Sequence, residues 1–300
     1  MKILITGGTG LLGKALVSTA NGKYEIVATF IGNYEIADTG RIKYRKLDIQ
    51  DKDGYLRLFK DFRPEVTIHA AGINNPDYVE KNNAEAWEIN MIGTQNILKA
   101  CEEFGSKFIY ISSNAIYDGN HAPYQEEDKA NPISCYGKIK LEAEVISKKA
   151  NISWAIVRPI LMYGWNYTFE RPNIVTIAIS KLRKKEKFFV YEDVYYTPLY
   201  DYSCAEAIWM IIENNKFEIF NIGGKDRLSI YELLQEVARV FGLDESLLIP
   251  VQQGFFKGLI KRPIDTSYNT AKMERVLELR PLKINEGLKL MKRRENEIYG

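Results

Sequence analysis

The chain has 300 residues, 46% of them hydrophobic, which suffices for one large α/β unit or for a large unit with a smaller second domain. Its 41 Lys+Arg against 39 Asp+Glu leave a net charge of +2, so no single-sign field spans the molecule and nucleic acid is excluded as an expected partner. Three scattered cysteines, Cys101, Cys135 and Cys204, read as reduced thiols, no Cys/His cluster suggests a metal, and Arg158 interrupts the longest apolar stretch, which excludes a membrane span and gives a cytoplasmic expectation.

Apolar, β-branched runs alternate with helical periodicity over the first two thirds of the chain, which predicts βαβ units and a doubly wound parallel sheet. Strands are expected at 2–6, 25–30, 42–49, 66–72, 107–113, 154–158 and 218–223, with helices over 11–19, 52–62, 84–104 and 136–149. After Gly164 the alternation fades, and the last 75 residues carry helix patterns such as "YELLQEVARVFG" and "AKMERVLE". The expected division is a Rossmann domain from 1–164 and 190–224, with a smaller, mostly helical substrate domain from 165–189 and 225–300.

At the first strand–helix junction, "ITGGTGLLG" holds four glycines within seven residues. A dinucleotide needs such a turn: Gly7 allows the tight bend, Gly10 lets a pyrophosphate approach the backbone, and Gly13 permits close packing of helix on sheet. Thr9, Leu11 and Leu12 complete the cofactor-facing turn. The spacing is GxxGxxG rather than GxGxxG, so a purely structural turn stays open. The second strand ends "TFIGN", with no carboxylate to hold an adenosine ribose and no Arg or Lys to hold a 2′-phosphate. The missing carboxylate tips the expectation toward NADP, with NAD open. Asp48 and Ile49 end the third strand where an adenine could be contacted, or Asp48 simply caps the following helix.

Downstream, "SCYGKIKLEAE" puts Tyr136 and Lys140 on one face of a helix. A tyrosine of ordinary pKa about 10 is a poor acid–base group at neutral pH, and a neighbouring ammonium favours its ionised form. "FIYISSNAIYDG" places Ser112 and Ser113 at the carboxyl end of a buried-type strand, where open α/β sheets bind ligands and a serine hydroxyl could donate to a substrate oxygen. His69 falls within a strand pattern and is expected in the core, and His121 in a loop. "KLRKKEK" (181–187) reads as a solvated helix face, with a diphosphate contact as its alternative.

With "TGGTGLLG", "HAAG", "NMIGTQNILKAC", "ISSNAIYDG", "PYQEEDKANPISCYGKIKLEAE" and "RPILMYG" in this order, the chain resembles the extended short-chain dehydrogenase/reductase family over nearly its whole length. Within it, the "YDG", "PYQEED" and "KRPIDTSYNTAKME" segments are most similar to the dTDP-4-dehydrorhamnose reductase group, although Ser113-Asn114 stands where that group usually has Thr-Asp and Leu161 where it has Trp. The resemblance implies Ser113, Tyr136 and Lys140 as catalytic residues, Ala70, Ala71 and Gly72 as a loop against the cofactor, Asn90 as their support, and Asn114 near the substrate. Asn114-Ala115 lacks the Asp-Glu pair of the dehydratases in this family, which excludes that chemistry. The expected activity is therefore NAD(P)-dependent reduction of a nucleotide-activated keto-deoxysugar. A nucleotide-sugar epimerase and a cofactor-binding regulatory subunit are the alternatives, and a homodimer is left open. Arg262, held extended by Pro263, is the expected diphosphate ligand, its alternative being an ion pair with an acid of the small domain.

Overall fold

The computed structural model describes residues 1–20 and 22–295. Its first part runs β1 (Lys2–Thr6), α1 (Leu11–Thr19), β2 (Glu25–Phe30), β3 (Ile42–Lys46), α2 (Lys52–Phe62), β4 (Val66–His69), α3 (Pro76–Lys81), α4 (Asn83–Trp87), α5 (Gly93–Phe104), β5 (Lys107–Ile111), α6 (Cys135–Lys149) and β6 (Trp154–Pro159). There follow β7 (Met162–Tyr163), α7 (Ile174–Arg183), β8 (Phe188–Tyr191), β9 (Tyr195–Tyr196), β10 (Leu199–Tyr200), α8 (Asp201–Glu213), β11 (Ile219–Ile222), β12 (Leu228–Ser229), α9 (Ile230–Phe241), β13 (Leu248–Val251), α10 (Ala271–Leu277) and α11 (Ile284–Arg293).

Seven strands form one sheet in the order β11-β6-β5-β4-β1-β2-β3, every neighbouring pair parallel. The chain winds outward from β1 to β3, returns to β4 and winds the other way. The strand order thus reverses between β1 and β4, and in such sheets the crevice at the carboxyl ends of those strands is where ligands sit. Strand alternation builds a core on each face: Ile3 and Ile5 point into one with α1 and α8, and Leu4 points into the other with α2, α5 and α6. A third core gathers Trp165, Val175, Ile179, Leu233, Leu234, Val237, Leu288 and Met291 from α7, α9, α11 and the segment before them. Besides those helices it contains the β8–β13 pair, so this part carries more strand than expected. Among the described residues no helix is long and apolar enough to cross a membrane.

One expected helix and three expected strands change. The single helix over 84–104 is interrupted by a π-helical turn at Glu88–Ile92, with α4 before it and α5 after. The strands expected to reach 49, 72 and 113 end at Lys46, His69 and Ile111; Leu47, Ala70 and Ser112 still donate to the neighbouring strand or its end, and the chain then turns away.

Candidate active site

At the glycine-rich turn the steric demands are explicit. Gly7 has φ +71°, and a Cβ there would come within 2.9 Å of the Ala71 nitrogen. On Gly13 a Cβ would sit 2.2 Å from the Gly7 carbonyl oxygen, so this residue lets α1 close against the turn. Gly10 is different, since its Cβ would meet nothing nearer than 3.4 Å; what a side chain would fill there is the space over the turn. Helix α1 starts with no side-chain cap and no acid in its first turn, so its N-terminal N–H groups suit an anion. This fits the pyrophosphate of a nicotinamide dinucleotide, with Gly7, Thr9, Gly10, Leu11, Leu12 and Gly13 as the residues that would hold it. Leu12 also packs into the core.

The loop after β4 lies beside this turn. The Ala70 nitrogen donates to the Thr6 carbonyl at 3.3 Å and the Ala71 nitrogen to the Thr6 hydroxyl at 3.2 Å. Asn90, aimed inward by the π turn, fixes the rest: its Oδ1 accepts from the Ile73 nitrogen at 2.7 Å and its Nδ2 donates to the Ile73 carbonyl at 3.0 Å. Its Oδ1 lies so close to Gly72 that a Cβ there would be 2.6 Å away. Asn90 thus supports the loop through its backbone. His69, between the Thr6 and Thr94 hydroxyls, is a core histidine whose burial pushes it down to about 3. Asp48 accepts from the Gln50 nitrogen at 2.9 Å, a turn-forming role, while Ile49 is buried against Gly93.

Opposite, Ser113 and Asn114 begin a 3₁₀ turn that receives the N-terminus of α6. A Cβ on Gly137 would stand 2.1 Å from the Ala115 carbonyl, so glycine lets the helix seat directly on that turn and brings Tyr136 to Ser113. Burial pushes the Tyr136 hydroxyl up to about 12, opposed by hydrogen bonding from Ser113 and by the charge of Arg171. Its proton is therefore retained at neutral pH. Lys140 donates to the Ile111 carbonyl at 2.8 Å and stands 5.0 Å over the Tyr110 ring. Burial lowers it to about 8 against the favourable charge of Glu144. The expected depression of Tyr136 by Lys140 is thus replaced by a rise, since burial outweighs the charges around the phenol and the ammonium is held on a backbone carbonyl.

The two serines separate cleanly. Ser113 faces Tyr136, whereas Ser112 donates to Glu144 at 2.6 Å. That carboxylate is fully buried and also accepts from Arg158 Nε at 2.8 Å and Nη2 at 2.7 Å. The pair ties α6 to β6. Removing one partner of such a pair costs about 3–5 kcal/mol.

On the outer side, Asn114 Nδ2 donates to Thr266 Oγ1 at 2.7 Å. Arg262 is ion-paired with Asp77 on α3, an acid of the sheet-bearing part rather than of the small one, while its backbone nitrogen donates to Gln253 Oε1 at 2.7 Å. Sequence reading missed three residues here. Arg171 carries its charge near Tyr136, Asp77 and Arg262 and donates to Asn74 at 3.4 Å, so a second guanidinium stands near the Arg262–Asp77 pair. Glu170 reaches the glycine-rich turn. Lys46 donates to Asn33 Oδ1 at 2.7 Å, because parallel pairing puts it opposite Phe30 at the end of β2. A search of the neighbouring strand's end, rather than the second strand alone, could have found that lysine.

Known proteins give the frame for this geometry. The chain is 28% identical over 281 residues to the methionine adenosyltransferase 2 subunit beta of Bos taurus, covering 91% of this chain and 81% of that one. It is 24% identical over 302 residues to a dTDP-4-dehydrorhamnose reductase of Aggregatibacter actinomycetemcomitans, covering 96% and 97%. A solved dTDP-4-dehydrorhamnose reductase from Clostridium acetobutylicum aligns with a TM-score of 0.85 at 27% identity, over 98% of this chain and 99% of that one. The model of the RmlD substrate binding domain matches residues 1–296, and the chain belongs to that family.

Proposed function

We propose that the chain is an NAD(P)-dependent reductase of a nucleotide-activated keto-deoxysugar, as in the dTDP-4-dehydrorhamnose reductases it is similar to. The observation that carries the reading is the seating of the start of α6, which carries Tyr136, directly on the turn that Ser113 begins just past β5 at the carboxyl ends of the sheet. When bound, the nicotinamide supplies the hydride. Tyr136 holds the proton and releases it from its hydroxyl to the oxygen that becomes an alcohol, and Ser113 hydrogen-bonds the same oxygen. Lys140, poised near neutrality in a buried site, offsets the negative charge left on Tyr136 and is placed to bond ribose hydroxyls. Asn114 and Arg262 belong to the substrate side, with Arg171 as their neighbour.

The reading divides the chain near the boundaries expected from sequence, with the third core as the substrate part. For the cofactor it favours NADP, because Lys46 supplies beside Asn33 the positive charge that the second strand itself lacks. The similarity to a methionine adenosyltransferase subunit supports a second reading, a regulatory subunit on the same fold. A buried Ser113/Tyr136/Lys140 set is superfluous for binding alone and supports the enzyme. The deciding experiment is oxidation of NADPH or NADH, followed at the nicotinamide absorbance, with a panel of nucleotide-linked 4-keto sugars. No turnover on any of them, with cofactor binding intact, would leave the regulatory reading.

A further inference from the structure

One segment of the third core does not stay with it. Trp165 is anchored there, its indole donating to the Met291 carbonyl at 2.7 Å. The residues that follow cross to the carboxyl ends of the sheet strands and lie on the crevice. Lys14 of α1 donates to the Trp165 carbonyl at 3.1 Å and stands 4.9 Å over the Tyr167 ring. Phe169 stacks on Tyr34, just past β2, with ring centroids 3.9 Å apart. Glu170 reaches the glycine-rich turn, accepting from the Thr9 hydroxyl at 2.5 Å and from the Tyr34 hydroxyl at 3.0 Å. Arg171, the next residue, turns toward Asn74 beyond β4. The segment therefore spans the places where β1, β2 and β4 end.

We propose that Trp165–Pro172 is a strap over the cofactor crevice, whose Glu170 carboxylate, held by Thr9, must be expelled by the pyrophosphate of an entering cofactor. The proposal rests on the dinucleotide reading above and adds a regulation of that same site. Two arguments carry it. A hydroxyl has one proton to donate, and that of Thr9 is committed to Glu170. A carboxylate and a pyrophosphate are also both anions, and like charges brought together in a partly desolvated cleft repel, so they do not share one cradle. Helix α1 leaves its N-terminus without an acid of its own, and the strap supplies one from 161 residues away. Because Arg171 is covalently next to Glu170 and carries its charge beside Tyr136, expulsion of the one moves the other.

The test follows the strap itself as well as the ligand. Amide hydrogen exchange of peptides covering 165–172 is measured with and without NADPH, in the wild-type chain, in Glu170→Gln and in Phe169→Ala. The glutamine keeps the shape but accepts a weaker hydrogen bond, and the alanine removes the stacking on Tyr34 while leaving the carboxylate. The expected result is that NADPH speeds exchange across the wild-type strap, that Glu170→Gln exchanges faster even without it, and that this variant binds NADPH about tenfold tighter. Phe169→Ala should move both readouts in the same direction by less. If NADPH binds the wild type but slows exchange over 165–172, or if Glu170→Gln binds it no tighter, the strap is part of the bound site and the proposal is wrong while the cofactor reading stands. If none of the three proteins binds NADPH or NADH, the cofactor reading fails and the proposal falls with it.

Discussion

Lys140 lies one helical turn from Tyr136, with its ammonium 5.8 Å from the tyrosine ring, yet its hydrogen bond goes to the Ile111 carbonyl. Tyr136 is left as a protonated acid whose anion, once formed, has a buried cation close by. Tyr136→Phe should therefore lower kcat by about 10²- to 10⁴-fold while the cofactor Kd stays within about twofold. Lys140→Ala should reduce kcat and weaken cofactor binding together. Steady-state rates and fluorescence titration of NADPH check both, and a wild-type rate in Tyr136→Phe would remove it as the proton donor.

Arg262 is ion-paired with Asp77 and Arg171 carries its charge nearby, so an anion entering there meets an excess of positive charge. Arg262→Ala should raise KM for the sugar nucleotide about tenfold, equivalent to about 1.4 kcal/mol, with the cofactor Kd unchanged. The same substitution also breaks the tie to α3. A thermal melt separates the two roles, since loss of Tm with an unaltered KM would make Arg262 purely structural.

On the proposed reading, Lys46 is the residue that favours NADPH. Its ammonium is exposed and held by Asn33, so a 2′-phosphate arriving at the end of β2 has a cation to replace that amide. Lys46→Ala should weaken NADPH about five- to tenfold and leave NADH alone, because only the former carries the extra phosphate. Parallel titrations of the two cofactors measure the ratio, and an unchanged ratio would assign the preference elsewhere.

His69 gives a pH dependence with a definite sign. Burial lowers it from 6.5 to about 3 in the folded chain, so between these values the unfolded chain binds the proton and the folded one does not. Stability therefore rises with pH through this window, and its contribution is lost as pH falls, at about 1.4 kcal/mol per pH unit. Denaturant unfolding at pH 4.5, 5.5 and 6.5 should show a shallower slope in His69→Gln than in the wild type. Equal slopes would mean that the ring is protonated inside the fold.

How far the sequence reaches differs between sheet and site. The apolar runs that became β1, β2 and β6 are buried on both faces and stand out by composition alone. Helix α8 is different: "DYSCAEAIWMII" is buried nearly all round and shows little helical alternation, so it lacks the signal that marks α9. In the site, Ser113, Tyr136 and Lys140 are legible because strand end and helix face fix them locally. Lys46 and Glu170 are not. The first meets Asn33 through the register of two strands, and the second reaches Thr9 through the path of a connecting segment. Neither has a local sequence signature.

The π turn that aims Asn90 also fixes the length of the chain there. An α-helix advances about 100° and about 1.5 Å per residue, so losing one residue between 88 and 92 would restore regular helical winding at the cost of rotating everything upstream by that angle. Ala86, now fully buried, would swing away from the core, and Trp87, now largely exposed, would turn with it. The Asn90 amide would leave Ile73, freeing the loop that stands against Gly7. A substitution elsewhere along this helix changes one side chain, whereas a change in residue count at Glu88–Ile92 is transmitted rigidly along the helix.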